Sequence, residues 1–308
     1  MRTNNYKPII LGTASSLLFS VTFIVNRLMS LSGGSWVWSS ALRFYWMLPF
    51  FFMIVWSKGG LKELFIVIKM DLLQWFIWST VGFGLFYASL TFAAAYSPAW
   101  LLASTWQVTI VAGIIIAPLI SKHITAFQSG YSSTILFSLI ILLGIIVMQI
   151  SHAQIISSDL LLKGVLPALV AAFAYPLGNR QVMQLTNGRL DVYQRILGMV
   201  ICSLPFWFVL SSCEMFIAES YPLKGQYLQT LIVAIFSGVM ATSLFFFATD
   251  SVRNNEKKLA AVEATQSTEV LFALAGEIII LNSPLPDVYS LLGICLVMLG
   301  MVLHSLRG

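Results

Sequence analysis

Long apolar stretches, separated by short clusters of Gly, Pro, Ser and charged residues, run the length of this chain. Ten can be marked, at about 8–27, 35–56, 72–94, 98–120, 130–150, 164–183, 193–213, 227–249, 258–281 and 286–306. Each is near the roughly 20 residues that an α-helix rising about 1.5 Å per residue needs to cross a hydrocarbon core. The breaks between them are brief: Ser32-Gly33-Gly34, Ser57-Lys58-Gly59-Gly60, Ser97-Pro98, Asn187-Gly188 and Ser283-Pro284. They leave no space for a soluble domain or a nucleotide-binding loop, which excludes an ATP-driven pump on a single chain. The pattern predicts an all-α polytopic membrane protein with ten transmembrane helices, the first of them uncleaved.

The pattern also repeats. The first span ends Asn26-Arg27 and the sixth carries Asn179-Arg180; the second holds Met47-Leu48-Pro49-Phe50 and the seventh Ser203-Leu204-Pro205-Phe206. The third reads Leu73-Gln74 then Ser89-Leu90, and the eighth Leu228-Gln229 then Ser243-Leu244. In the fourth, Thr105-Trp106-Gln107 matches Ala264-Thr265-Gln266 of the ninth. Four matches in register divide the chain into halves, 1–151 and 152–308, of five spans each. Five is odd, so the halves lie upside down relative to each other. Inverted repeats of this kind place a binding site at the bilayer midplane between them.

Composition sharpens this. The chain of 308 residues is 58% hydrophobic and 9% charged, with a mean hydropathy of +0.89, whereas a soluble domain carries about 25% charged residues. The net charge of +5 is scattered, which argues for loop topology and against nucleic acid. With the N-terminus inside, thirteen of the 17 Lys and Arg residues fall on the cytoplasmic side; Arg27, Lys163 and Lys224 lie outside and Arg43 within the membrane. The positive-inside rule then puts both termini in the cytoplasm of a bacterial cell membrane. Cys202, Cys213 and Cys295 are far apart and show no disulfide or metal spacing. No cofactor is called for.

The ninth span is the unusual one. From Lys257 to Leu281 it carries Glu263, Gln266, Glu269 and Glu277. A carboxylate in hydrocarbon costs about 2.5–3.5 kcal/mol on insertion scales, so it faces a cavity and serves a purpose. Read as one continuous helix, the stretch places Gln266 and Glu277 within roughly 60° of Glu263, and Glu269 about 120° from it. Glu269 falls near the bilayer centre. Glu277 falls near the outer interface, where a solvated carboxylate is expected. Arg43, about 10 Å from the outer end of the second span, is expected to pair with Glu269 or Glu263. Gln107 and Gln266, at matching places in the halves, are candidate uncharged contacts for a ligand. Trp46, Tyr87, Trp106 and Tyr175 lie deep enough to form an aromatic box for an organic cation. Asn26 and Asn179 are expected to serve helix ends, beside arginines that snorkel to the surface.

At this point the chain resembles the drug/metabolite transporter superfamily, whose larger members have ten helices in two inverted five-helix repeats. The marks are Arg43-Phe44, the stretch Ala95–Ala99 (Ala-Tyr-Ser-Pro-Ala), Ala273-Leu274-Ala275-Gly276-Glu277, and Gly293 with Gly300. Within it the multidrug resistance efflux transporter branch is the nearest. The small four-helix relatives keep an essential glutamate in their first helix, whereas the first span here, from Ser15 to Val25, has none. The resemblance implies a secondary transporter exporting a small organic molecule, cationic or amphipathic, by proton exchange at a buried carboxylate. The alternatives are an amino-acid or other metabolite permease of the same fold, and a lipid flippase. An enzyme acting on lipid would need paired carboxylates or a His–carboxylate pair at an interface loop, and the loops offer Asp159, Asp191, Asp250 and Glu256 singly. A monomer suffices for two repeats on one chain, and a dimer is compatible.

Overall fold

The computed structural model describes residues 6–120, 131–152, 160–252, 262 and 265–307; Glu263 lies outside them. All regular structure among these residues is helical. In order, it comprises α1 (Lys7–Leu31), α2 (Trp36–Ser57), α3 (Leu61–Met70), α4 (Leu72–Ser79), α5 (Phe86–Tyr96), α6 (Ala99–Trp106), α7 (Val108–Ile120) and α8 (Tyr131–His152). The second half follows with α9 (Leu166–Thr186), α10 (Val192–Phe216), α11 (Lys224–Val233), α12 (Thr242–Asp250), α13 (Thr268–Leu281) and α14 (Val288–Arg307). Among the described residues six helices are long and apolar enough to cross a membrane: Lys7–Leu31, Trp36–Ser57, Leu72–Tyr96, Leu161–Thr186, Val192–Phe216 and Lys224–Thr249. The protein is a multi-pass membrane protein.

Three local features depart from plain spans. The connection after α2 is not a bare loop: α3 buries Leu64, Val67 and Ile68 and leaves Phe65, Ile66 and Met70 exposed. The third and eighth expected spans each change pitch midway, through π-helical turns at Thr80–Leu85 and Ala234–Ala241. The fourth breaks at Gln107, whose amide reaches back to Ser104 O at 3.1 Å. Just before the break, Ser104 and Thr105 turn their hydroxyls onto the carbonyls of Trp100 and Leu101, a back-bonding that weakens the helical ladder. The ninth passes through a 3-10 turn at Thr265–Ser267, so the other glutamine, Gln266, also sits at a break. Short 3-10 and π stretches inside a helix mark hinges and functional sites.

The halves interleave. Helix α1 packs on α12, α13 and the π turn at Ala234–Ala241, while α9 packs on α5, α7 and the π turn at Thr80–Leu85. Helices α2 and α10 face each other, with Phe44 and Trp207 stacked at 4.8 Å. The α8–α14 pair shares the most extensive contact among the described helices. A Cβ on Gly144 would stand 2.9 Å from Val297 N, and one on Gly300 would stand 3.0 Å from Ile141 N. Gly144 and Gly300, like Ile141 and Val297, are 156 residues apart. The contact is therefore reciprocal, as across a two-fold axis.

Candidate functional site

Glu269 occupies the first turn of α13 and is 4% exposed. It reaches that position because the helix restarts at Thr268. Thr268 Oγ1 donates to Thr265 O at 2.6 Å, and Thr265 Oγ1 donates to Val262 O at 2.6 Å, holding the 3-10 turn. A carboxylate in the first turn lies at the positive end of the helix dipole. The same break undoes the single-helix arrangement expected for this stretch. Gln266 points to α1, where Nε2 donates to Ser15 and Ser16 Oγ, both at 3.2 Å. Gln266 is thus tied to α1 rather than standing beside Glu269.

Its counterpart Gln107 is free of such ties. The first half's Gln107 faces the Glu269 carboxyl, yet its buried Nε2 makes no hydrogen bond of normal geometry. The difference has a sequence cause. The stretch 166–178 of α9, the helix that packs on α6 and α7 either side of Gln107, has no Ser or Thr to receive the amide.

Beside this pair stands a ring cluster. Phe86 lies 4.8 Å from Tyr175, 5.1 Å from Trp106 and 5.8 Å from Tyr87, and Trp106 lies 5.5 Å from Tyr175. Three of the four expected aromatics are therefore brought together. The fourth, Trp46, packs against the core with Nε1 buried and unbonded, and shares none of these ring contacts. Phe86 was missed: among 22 phenylalanines nothing in its local pattern sets it apart.

Among the described residues Arg43 forms no ion pair with Glu269, and its other expected partner, Glu263, lies outside them. Arg43 is 8% exposed, its guanidinium sits 3.9 Å from the centre of the Tyr87 ring, and Nη2 donates to Ser237 Oγ at 3.2 Å. Ser237 also accepts from Thr22 at 2.5 Å. Arg43 is thus satisfied in part by a ring face and a hydroxyl, and Glu269 is reached by Gln107. Asn26 does not serve a helix end: it is buried and donates from Nδ2 to Tyr87 Oη at 2.9 Å.

Glu277 overturns its expected solvated setting, since it is 4% exposed. Its Oε2 accepts the Trp100 backbone N–H at 3.2 Å, at the start of α6. Opposite it, Arg27 donates from Nη1 to Ala95 O at 2.8 Å, at the end of α5. An acid on the amide end and a base on the carbonyl end complement both helix dipoles. Together they clamp the corner at Ser97-Pro98. Glu277→Ala leaves buried amide donors unpaired, at about 1–3 kcal/mol, and is expected to lower the unfolding temperature of the detergent-solubilised protein. An unchanged unfolding temperature would show that the clamp contributes nothing.

Comparison with known proteins agrees with this architecture. The EmrE family, described as "Putative multidrug resistance efflux transporter", matches residues 6–308. The chain is 48% identical over 312 residues to "Uncharacterized protein YjlA" of Bacillus subtilis (strain 168), covering 97% of this chain and 94% of that protein. It is 46% identical over 268 residues to an "Uncharacterized 42.1 kDa protein in intracellular alkaline protease 3'region" of Shouchella clausii, covering 85% of this chain and 70% of that one. A solved structure described only as a crystal structure of a protein shares the fold, with a TM-score of 0.64 at 12% identity over 96% of this chain and 95% of that one.

Proposed function

Because the chain belongs to the EmrE family of multidrug resistance efflux transporters, which is a transporter family and not an enzyme family, we propose that it is a secondary active transporter. It exports a small organic molecule with a cationic group in exchange for protons, and Glu269 is the group for which the two compete. The observation that carries this reading is one buried carboxylate, at a helix start, beside the Gln107 amide and a ring cluster. A proton and an organic cation cannot both neutralise the same carboxylate. Binding of one releases the other, and the rings of Trp106, Tyr175 and Phe86 offer negative faces to the incoming cation.

In this reading ten helices cross the membrane as two inverted five-helix repeats, 1–151 and 152–308, with both termini in the cytoplasm. The reciprocal α8–α14 contact, the π turns at Thr80–Leu85 and Ala234–Ala241 in matching spans and the breaks at Gln107 and Gln266 support it. These breaks are the joints about which one repeat would rock against the other, exposing the site to each side in turn.

Reconstitution into proteoliposomes tests the proposal. Tetraphenylphosphonium is expected to accumulate against its gradient when a pH gradient is imposed, and a protonophore is expected to abolish the accumulation. Flux indifferent to the pH gradient would remove proton exchange, and no flux of any tested organic cation would remove the efflux reading.

A further inference from the structure

We infer that the contact of α1 with the 3-10 turn, at Gly12, Ser15, Ser16, Thr265 and Gln266, is a latch that opens once in each transport cycle. This rests on the proposed transport by two inverted repeats and adds the place at which one side of the pathway is shut. The two elements meet closely: a Cβ on Gly12 would stand 3.3 Å from Thr265 Cβ. Ser15 and Ser16 are fully buried there, and Gln266 Nε2 donates to both hydroxyls. Ser16 has one hydroxyl proton and two acceptors within reach: Thr265 O across the contact at 2.7 Å and Gly12 O in its own helix at 3.0 Å. Parting the elements lets that proton fall back on Gly12 O. The other hydroxyl, amide and carbonyl groups of the contact are ones that water can satisfy. The latch can therefore open into a wet pathway without leaving a polar group unpaired.

The halves themselves separate what moves from what stays. Inverted repeats pass from one access state to the other by exchanging the conformations of the halves. A contact made alike in both halves survives that exchange, and one made in a single half does not. Two ties come as a matched pair. Gln194 Nε2 donates to Gly60 O at 2.8 Å, joining the start of α10 to the start of α3. Gln226 Nε2 donates to Ser35 O at 2.9 Å, joining the start of α11 to the start of α2. The latch has no such match. In the register that sets Asn26 beside Asn179, Ser15 and Ser16 correspond to Ala168 and Leu169, and Gln107 Nε2 makes no hydrogen bond of normal geometry. The latch also leads to the site. Thr265 O accepts from Ser16 of α1 and, at 2.6 Å, from Thr268 at the head of α13. A ligand that draws Glu269 and the first turn of α13 toward itself pulls on the same carbonyl that Ser16 holds.

Cross-linking tests the latch in the full-length chain. Gly12→Cys with Thr265→Cys places the two Cβ atoms near the spacing of a disulfide, and mass spectrometry of the linked peptides verifies the bond. Oxidation is expected to lower proton-driven tetraphenylphosphonium flux in proteoliposomes at least about tenfold, and reduction to restore it. Gly60→Cys with Gln194→Cys spans one of the matched ties, where a Cβ on Gly60 stands 3.3 Å from Gln194 Cγ. Linking that pair is expected to leave flux within about twofold of its reduced form. The inference is overturned if the linked first pair carries full flux, or if the linked second pair loses flux as completely. Gln266→Cys gives a reading that needs no cross-link. Its alkylation by a membrane-impermeant maleimide, followed by mass spectrometry at residue 266, is expected to change at least about threefold when tetraphenylphosphonium is added. An unchanged rate overturns the latch. Native chain, oxidised and reduced in the same way, is measured in parallel. If it carries proton-driven flux while the linked first pair is unaffected, the latch is wrong and the transport reading stands; if it carries none, the transport reading is wrong and the latch falls with it.

Discussion

Glu269→Gln is expected to abolish proton-driven flux while leaving the protein folded. The substitution keeps the shape of the side chain and its place in the first turn of α13. It removes the charge for which, in the proposed exchange, a proton and an ammonium compete. The lost contact alone should weaken substrate binding by about ten- to a hundredfold, since a hydrogen bond to a charged group is worth about 1.5–3 kcal/mol and every 1.4 kcal/mol is tenfold. Counterflow in proteoliposomes reads it directly. Downhill exchange of labelled substrate should fall along with pH-driven uptake, because the carboxylate binds substrate as well as proton. Retention of full pH-driven flux in a monodisperse variant would mean that Glu269 only orders the bundle.

The second large effect is structural. Gly178 of α9 lies against the first π turn so closely that a Cβ there would meet the backbone of Gly82 and stand 2.7 Å from Trp78 O. Backbone cannot swing aside. Gly178→Ala must therefore part α9 from the third expected span, at about 3 kcal/mol, the upper end of the usual cost of overpacking. Helices in a membrane hold together by such close contact, without a hydrophobic drive between them. The variant should lose monodispersity or unfold well below the native protein. Gly82→Ala should be milder: a Cβ there meets the flexible Met199 Cε at 3.0 Å and Gly178 Cα at 3.1 Å. Native-like thermal stability of both variants would show that this crossing carries little of the packing.

Much of the fold was legible because hydrocarbon imposes a strong rule: backbone polar groups must be satisfied within the helix, so apolar length alone marks a span. Gln107, Tyr87, Trp106 and Tyr175 were legible as interior candidates for the same reason, being polar or amphipathic residues inside apolar runs. The short helix α3 was not, because its lysines and its position between spans read as a connection. Arg27 and Glu277 were misread as well. Depth along a helix places a residue near an interface, but it does not reveal that the α5–α6 corner folds over it.

What the sequence by itself determined is the membrane-embedded helical class, the position of the apolar stretches, the register of the matching motifs and the presence of a carboxylate in the ninth. These follow from composition and period, which act residue by residue along the chain. Only the tertiary structure decided which polar groups meet. A helical wheel relates Gln266 to Glu269 only while the helix is unbroken, and the 3-10 turn resets it. Whether Arg43 finds a carboxylate or a ring depends on the distances between helices, set by small residues packing across the bundle. No local pattern encodes those distances, so the partners of Arg43 and Glu269 became known only when the helices were placed.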